Sequence, residues 1–146
     1  MKPTFLILAV FFSFSACSSN HGTLQDPTTT PAEITQNGTK TEVKTIQSPE
    51  AKALLAKQEN VVILDVRTPE EYAAGHLQTA KLINKYDPDF AEQINALDRN
   101  KTYLIYCKAG GRSAETTKMM TELGFKNIYD ATEGFESLKN AGVPAE

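Results

Sequence analysis

The run Val61-Val62-Ile63-Leu64-Asp65-Val66 is apolar at every position but one and shows no polar alternation. A strand with one wet face alternates, so continuous β-branched residues predict a strand covered on both faces, as in the parallel sheets of layered α/β domains. Thr102-Tyr103-Leu104-Ile105-Tyr106-Cys107 predicts a second strand, with shorter ones over Ala80 to Asn84 and Asn127 to Tyr129. Helical segments lie between them. Ser48-Pro49-Glu50 reads as a helix start, with Ser48 as N-cap, proline at the first position and Ala51, Leu54 and Leu55 as the apolar stripe. Thr68-Pro69-Glu70-Glu71 has the spacing of a capping box and opens a short helix that stops at Gly75. Asp87-Pro88 caps a helix carrying Phe90, Ala91, Ile94 and Leu97 at helical spacing. Ser113 to Leu123 is helical and closed by Gly124, and Phe135 to Asn140 is helical before Gly142. Strands alternating with helices predict an α/β fold of three layers, with a central, largely parallel sheet flanked by helices.

The chain's 146 residues suffice for one such domain. A net charge of −3 with no long basic run gives no electrostatic footprint for nucleic acid. Its first residues read as an address. Lys2 precedes Phe5-Leu6-Ile7-Leu8-Ala9-Val10, which continues through Phe14 to Ser15-Ala16-Cys17 as a basic region, an apolar region and a small-residue cleavage site. This stretch is shorter than the roughly 20 apolar residues a spanning helix needs. Phe14-Ser15-Ala16-Cys17 resembles the lipobox of bacterial lipoproteins, with Phe14 in place of the usual leucine. The resemblance implies a signal peptide over residues 1–16 and Cys17 as the lipidated first residue of the mature chain. It also implies a protein anchored to a membrane of the bacterial cell envelope, facing the periplasm or exterior. Residues 18–42 hold seven threonines, two prolines and no aromatic, a composition that buries too little apolar surface to order itself. Residues 17–42 are therefore expected to form a tether and residues 43–146 the folded domain.

Two cysteines exclude a disulfide scaffold and a multi-cysteine zinc module. Lipidation of Cys17 would leave Cys107 without an intramolecular partner, and a lone exported cysteine is a candidate reactive thiol. Cys107 falls at the carboxyl end of a strand, where sites in parallel sheets lie. It opens the segment Cys107-Lys108-Ala109-Gly110-Gly111-Arg112-Ser113, between a strand and a helix. Gly110 and Gly111 let the loop curl so that backbone N–H groups converge, and the following helix adds unpaired donors and the positive end of its dipole. Lys108 and Arg112 add charge, so the segment reads as an anion cradle that favours thiolate over thiol at Cys107. Arg112 is placed for a bidentate contact with an anion.

This loop resembles the Cys-x-x-Gly-x-Arg-Ser active loop of single-domain rhodaneses, the sulfurtransferase family. Asp65-Val66-Arg67-Thr68-Pro69-Glu70-Glu71-Tyr72-Ala73-Ala74-Gly75-His76-Leu77 is similar to the family's upstream segment, and Glu133-Gly134-Phe135 to Ala141-Gly142-Val143-Pro144 more weakly to its terminal one. Three positions depart from the pattern. Thr79 and Glu133 stand where glycine is usual, and Leu138 where tryptophan is usual. The resemblance implies Cys107 as the catalytic residue, carrying a sulfane sulfur as a persulfide. Lys108, Ala109, Gly110, Gly111, Arg112 and Ser113 would bind the substrate. Asp65, Arg67, Glu71 and His76 match mainly structural positions. The implied partners are a small sulfur-containing anion as donor and a thiophilic acceptor, either a small molecule or a protein, with no metal or organic cofactor. The Cys-x4-Arg spacing is one residue shorter than the Cys-x5-Arg loop of tyrosine-phosphatase-like enzymes, which implies a pocket suited to a sulfur-sized group. The competing class is a non-catalytic module of the same fold that binds a partner or senses redox state at the envelope.

Overall fold

The structure is a computed structural model that describes residues 41–146. The expected signal peptide, Cys17 and nearly all of the expected tether lie outside the described residues. The elements run β1 (Glu42–Ile46), α1 (Ser48–Lys57), β2 (Val61–Asp65), α2 (Pro69–Ala73), β3 (Lys81–Leu82), α3 (Phe90–Asn95), β4 (Thr102–Tyr106), α4 (Gly111–Glu122), β5 (Asn127–Ala131) and α5 (Phe135–Asn140). All strands pair in parallel in the order β1-β5-β4-β2-β3. The α/β fold expected from the alternation of elements is the one observed. Among the described residues no helix is long and apolar enough to cross a membrane.

β4 is the central strand, in register with Asp65 of β2 and Ala131 of β5 at its last residue, Tyr106. Period-two alternation sends its side chains into two separate cores. Leu104 and Tyr106 join Ile46, Ala51, Phe135 and Leu138 on one face, while Tyr103, Ile105 and Cys107 join Ile94, Met120 and Phe125 on the other. Burying each of the larger apolar side chains contributes roughly 1.5–3 kcal/mol, so β4 is held from both sides and its carboxyl end is a firm platform.

The helix starts follow from local chemistry. Thr68 caps α2: its Oγ1 accepts the Glu71 N–H at 3.3 Å, and the Glu71 carboxylate accepts the Thr68 N–H at 3.1 Å, completing the expected box. At α1 the cap is Gln47 rather than Ser48. Glu50 stands three residues after Gln47 and its carboxylate accepts the Gln47 N–H at 2.9 Å, so the box closes one residue earlier. Ser48 instead donates its backbone N–H to the Glu133 carboxylate at 2.6 Å. Asp87 accepts from the Asn84 amide at 2.6 Å in a turn, leaving Asp89 to precede α3. Three further boundaries move. β3 spans only two residues, α4 begins at Gly111 rather than Ser113, and β5 runs on to Ala131. β1 has no counterpart among the expected elements, and it takes in Glu42, the last residue assigned to the tether.

Candidate active site

Cys107 follows the last residue of β4 and is 1 % exposed. The chain then turns through Lys108 and Ala109 to Gly110, whose N–H donates to Sγ at 3.1 Å. Gly110 adopts φ +86, and a Cβ there would lie 2.4 Å from the Thr132 carbonyl oxygen, so neither the turn nor the packing admits a side chain. The segment after β5 supports the loop from beneath. The Phe135 N–H donates to the Cys107 carbonyl at 2.9 Å, and a Cβ on Gly134 would lie 2.0 Å from the Lys108 carbonyl oxygen. Gly111 has open space where a Cβ would stand, so of the two glycines expected to shape the loop only Gly110 is sterically required.

Ser113 fixes the loop from inside. Its buried hydroxyl donates to the Gly110 carbonyl at 3.0 Å and lies 3.8 Å from Sγ. The backbone N–H groups of Gly111, Arg112 and Ser113 form the first turn of α4 and have no intrahelical acceptor. The sulfur thus sits under one donated N–H at the positive end of a twelve-residue helix. Lys108 and Ala109 are exposed at the mouth.

Arg112 departs from expectation. Its fork is not open to an incoming anion: Nη1 donates to Glu71 Oε2 at 2.6 Å and Nη2 to Oε1 at 3.0 Å. The guanidinium beside Glu71 holds that carboxyl down to about 2, and Glu71 in turn raises Arg112 above its ordinary value. The Arg112 guanidinium also stands 5.7 Å from the Tyr86 ring centroid, and Tyr86 is 70 % exposed on the loop after β3. Tyr86 carried no signal in the sequence, because nothing local marks an exposed aromatic as belonging to a distant loop.

Behind the loop lies a buried network. Asp65 accepts from Arg67 Nη2 and the Tyr106 hydroxyl, each at 2.6 Å, and Tyr106 accepts the Leu77 N–H at 3.1 Å. Arg67 also donates to the Gly75 carbonyl at 2.7 Å and lies 4.2 Å from the Phe135 ring centroid. These contacts tie α2 and the segment before β3 to the end of β4. His76 stacks on Tyr72 at 3.7 Å and its Nδ1 lies 3.1 Å from the Tyr72 carbonyl, a structural placement as expected. Asp130 carries no functional signal in the sequence. It is buried in β5, and burial pushes its carboxyl above the usual range while the neighbouring Ser113 hydroxyl opposes the shift.

The Rhodanese-like domain family matches residues 48–141, which take in strands β2 to β5 and the whole cysteine loop. The chain belongs to the rhodanese family. Similar proteins include a thiosulfate sulfurtransferase of Pseudomonas putida, 33% identical over 98 residues that cover 67% of this chain and 86% of the relative. A putative sulfurtransferase of Bacillus subtilis is 33% identical over 87 residues, covering 60% of this chain and 82% of the relative. The crystal structure of a rhodanese-like domain protein from Staphylococcus aureus is 32% identical with a TM-score of 0.58, covering 65% and 90% of the two chains.

The three departures from the rhodanese pattern each have a physical setting. Thr79 adopts φ +65, the left-handed conformation that a glycine takes without strain, at a cost of about 1–2 kcal/mol for a residue with a Cβ. Glu133 uses its carboxylate on the first turn of α1, and that contact holds it below the ordinary range. Leu138 is fully buried in the core that contains Ala51 and Phe135. None of the three touches the sulfur of this rhodanese.

Proposed function

We propose that this rhodanese is a sulfurtransferase that moves a sulfane sulfur from thiosulfate or a persulfide donor to a thiophilic acceptor through a persulfide on Cys107. The observation that carries the reading is the Cys107 sulfur itself, held at the carboxyl end of the central strand under the Gly110 N–H and at the start of α4. In the first half-reaction the Cys107 thiolate attacks the sulfane sulfur of the donor; the donor's S–S bond breaks, and its electron pair leaves with sulfite or with an organic thiolate. In the second, the acceptor attacks the outer sulfur of the persulfide and the Cys107 thiolate is the leaving group. The Gly110 N–H and the first-turn amides of α4 stabilise negative charge as it moves between the two sulfurs. Lys108, exposed at the mouth, attracts the anionic donor, and Ser113 keeps the loop in shape. The relatives named as sulfurtransferases support this chemistry.

The lipobox-like Phe14-Ser15-Ala16-Cys17 supports a place for the protein at a bacterial membrane, lipid-anchored through Cys17 and facing the periplasm or exterior. The near-complete burial of Cys107 is the observation that favours the second reading, a non-catalytic binding or redox-sensing module. Intact-mass spectrometry of the full chain separates the two. Incubation with thiosulfate or an organic persulfide should add one sulfur atom, cyanide should remove it, and Cys107→Ser should take up none. A chain that gains no sulfur from either donor is not a sulfurtransferase.

A further inference from the structure

We propose that Glu71 is a specificity-determining residue that selects organic hydropersulfides, R–S–SH, over the thiosulfate dianion as sulfur donor. The inference rests on the persulfide reading of Cys107 and narrows it to one donor class.

Charge around the loop is the first argument. Four cationic side chains belong to this end of the sheet: Arg67, Lys85, Lys108 and Arg112. Lys85 lies 3.6 Å from the Glu115 carboxylate. Arg67 is buried and paired with Asp65 at 2.6 Å. Arg112 is matched by both oxygens of Glu71, at 2.6 and 3.0 Å. Glu71 is not a loose partner that a substrate could push aside. It belongs to the α2 capping box, where Oε2 also accepts the Thr68 N–H at 3.1 Å, and at about 2 its carboxyl stays ionised across the physiological range. Among the described residues this leaves Lys108 as the loop's one cation without an ion-pair partner, and it is exposed, where water weakens its pull.

The two donors make different demands on that arrangement. When the Cys107 thiolate meets thiosulfate, three negative charges gather; the S–S bond breaks, sulfite leaves with two of them and the Cys107 persulfide keeps one. When the thiolate attacks the outer sulfur of R–S–SH, one negative charge is present throughout. It departs on R–S⁻, and the proton remains on the sulfur now bound to Cys107. A site whose arginine is already neutralised suits the second course and not the first.

Tyr86 supplies the second argument. Its ring is 70 % exposed and 5.7 Å from the Arg112 guanidinium, so a flat apolar face stands at the mouth beside the neutral ion pair. Its loop is braced by the Asn84–Asp87 bond at 2.6 Å and by donation of the Tyr86 N–H to Asn84 Oδ1 at 3.2 Å. Such a face gives contact area to the carbon-bearing R group and nothing to thiosulfate.

The test measures kcat/KM for sulfur loading of the full chain with thiosulfate and with benzyl hydropersulfide, whose R group is uncharged, in the parent and in Glu71→Gln. Glutamine keeps the oxygen that accepts the Thr68 N–H while removing the charge. The parent should prefer the hydropersulfide by about tenfold or more, and Glu71→Gln should raise thiosulfate loading by about tenfold and make it more salt-sensitive, with hydropersulfide loading held within about twofold. The preference of the parent is readable even if the variant does not fold. Equal or better use of thiosulfate by the parent, or equal shifts for both donors in Glu71→Gln, overturns the role of Glu71 and leaves the sulfurtransferase reading standing. Absence of loading from both donors removes that reading, and this inference with it.

Discussion

The Asp65–Arg67 and Glu71–Arg112 pairs use the same two functional groups and close at the same 2.6 Å, yet their surroundings differ. Asp65 and Arg67 are 0 % and 5 % exposed, and their remaining bonding capacity is met by Tyr106 and Gly75. Burial acts against the charge on Arg67, but Asp65 more than compensates and its affinity for the proton rises. Burial, then Asp65, also pushes the Tyr106 phenol far above its ordinary value. Glu71 and Arg112 are 26 % and 16 % exposed, at the rim of the cysteine loop and beside an exposed tyrosine. The inner pair is structural because no water can replace either partner. The outer pair, partly open to water, contributes less to stability and sets the charge that a substrate meets.

Breaking the inner pair should have the largest effect. Arg67→Met leaves the Asp65 carboxylate buried and uncompensated, so we expect a loss of roughly 3–5 kcal/mol in urea unfolding, accompanied by loss of sulfur loading as the end of β4 loosens. Breaking the outer pair should cost less, roughly 1–2 kcal/mol, because water reaches part of both side chains and can hydrate whichever partner is left. If Glu71→Gln or Arg112→Gln destabilised the chain as much as Arg67→Met, the contrast between the two pairs would collapse.

Acid unfolding sharpens the comparison further. The folded-state pKa of Glu71 is depressed to about 2, so its stabilisation is present above the ordinary carboxylate range and is lost as pH falls toward that value. Glu71→Gln should flatten this acid limb. Asp130 has the opposite sign. Burial raises its folded-state pKa, so its contribution is full below the ordinary value and is lost as pH rises through the raised one. Asp130→Asn should therefore gain slightly on the parent at neutral pH and not at acid pH, a difference that denaturant midpoints across the pH range would show.

What the sequence displayed and what it hid divide along the same line as local and distant interactions. The Val61–Val66 run, the Thr68–Glu71 capping box and the Cys107–Ser113 loop are each encoded within a few neighbouring residues, and each appears where its spacing puts it. β1 was illegible because Glu-Val-Lys-Thr-Ile offers only two apolar side chains. It is an edge strand whose partner, β5, supplies the pairing and whose polarity guards the open side. β5 looked shorter because aspartate disfavours strands, and burial against α4 overrides that preference at Asp130. Arg112 and Glu71 were both visible as residues, one as an anion ligand and one as a helix cap. That they face one another follows from tertiary structure bringing together positions 41 residues apart, which no local spacing records.

The interlock beneath the cysteine is made of backbone against backbone, with Gly110 on the Thr132 carbonyl and Gly134 on the Lys108 carbonyl. No neighbouring side chain can shrink to make room at either place. Variation in the loop is thereby channelled to Lys108, Ala109 and Gly111, the three exposed positions among Cys107 to Ser113. A lineage retuning this protein for a new acceptor has those three letters to rewrite while the frame around the sulfur stays the same.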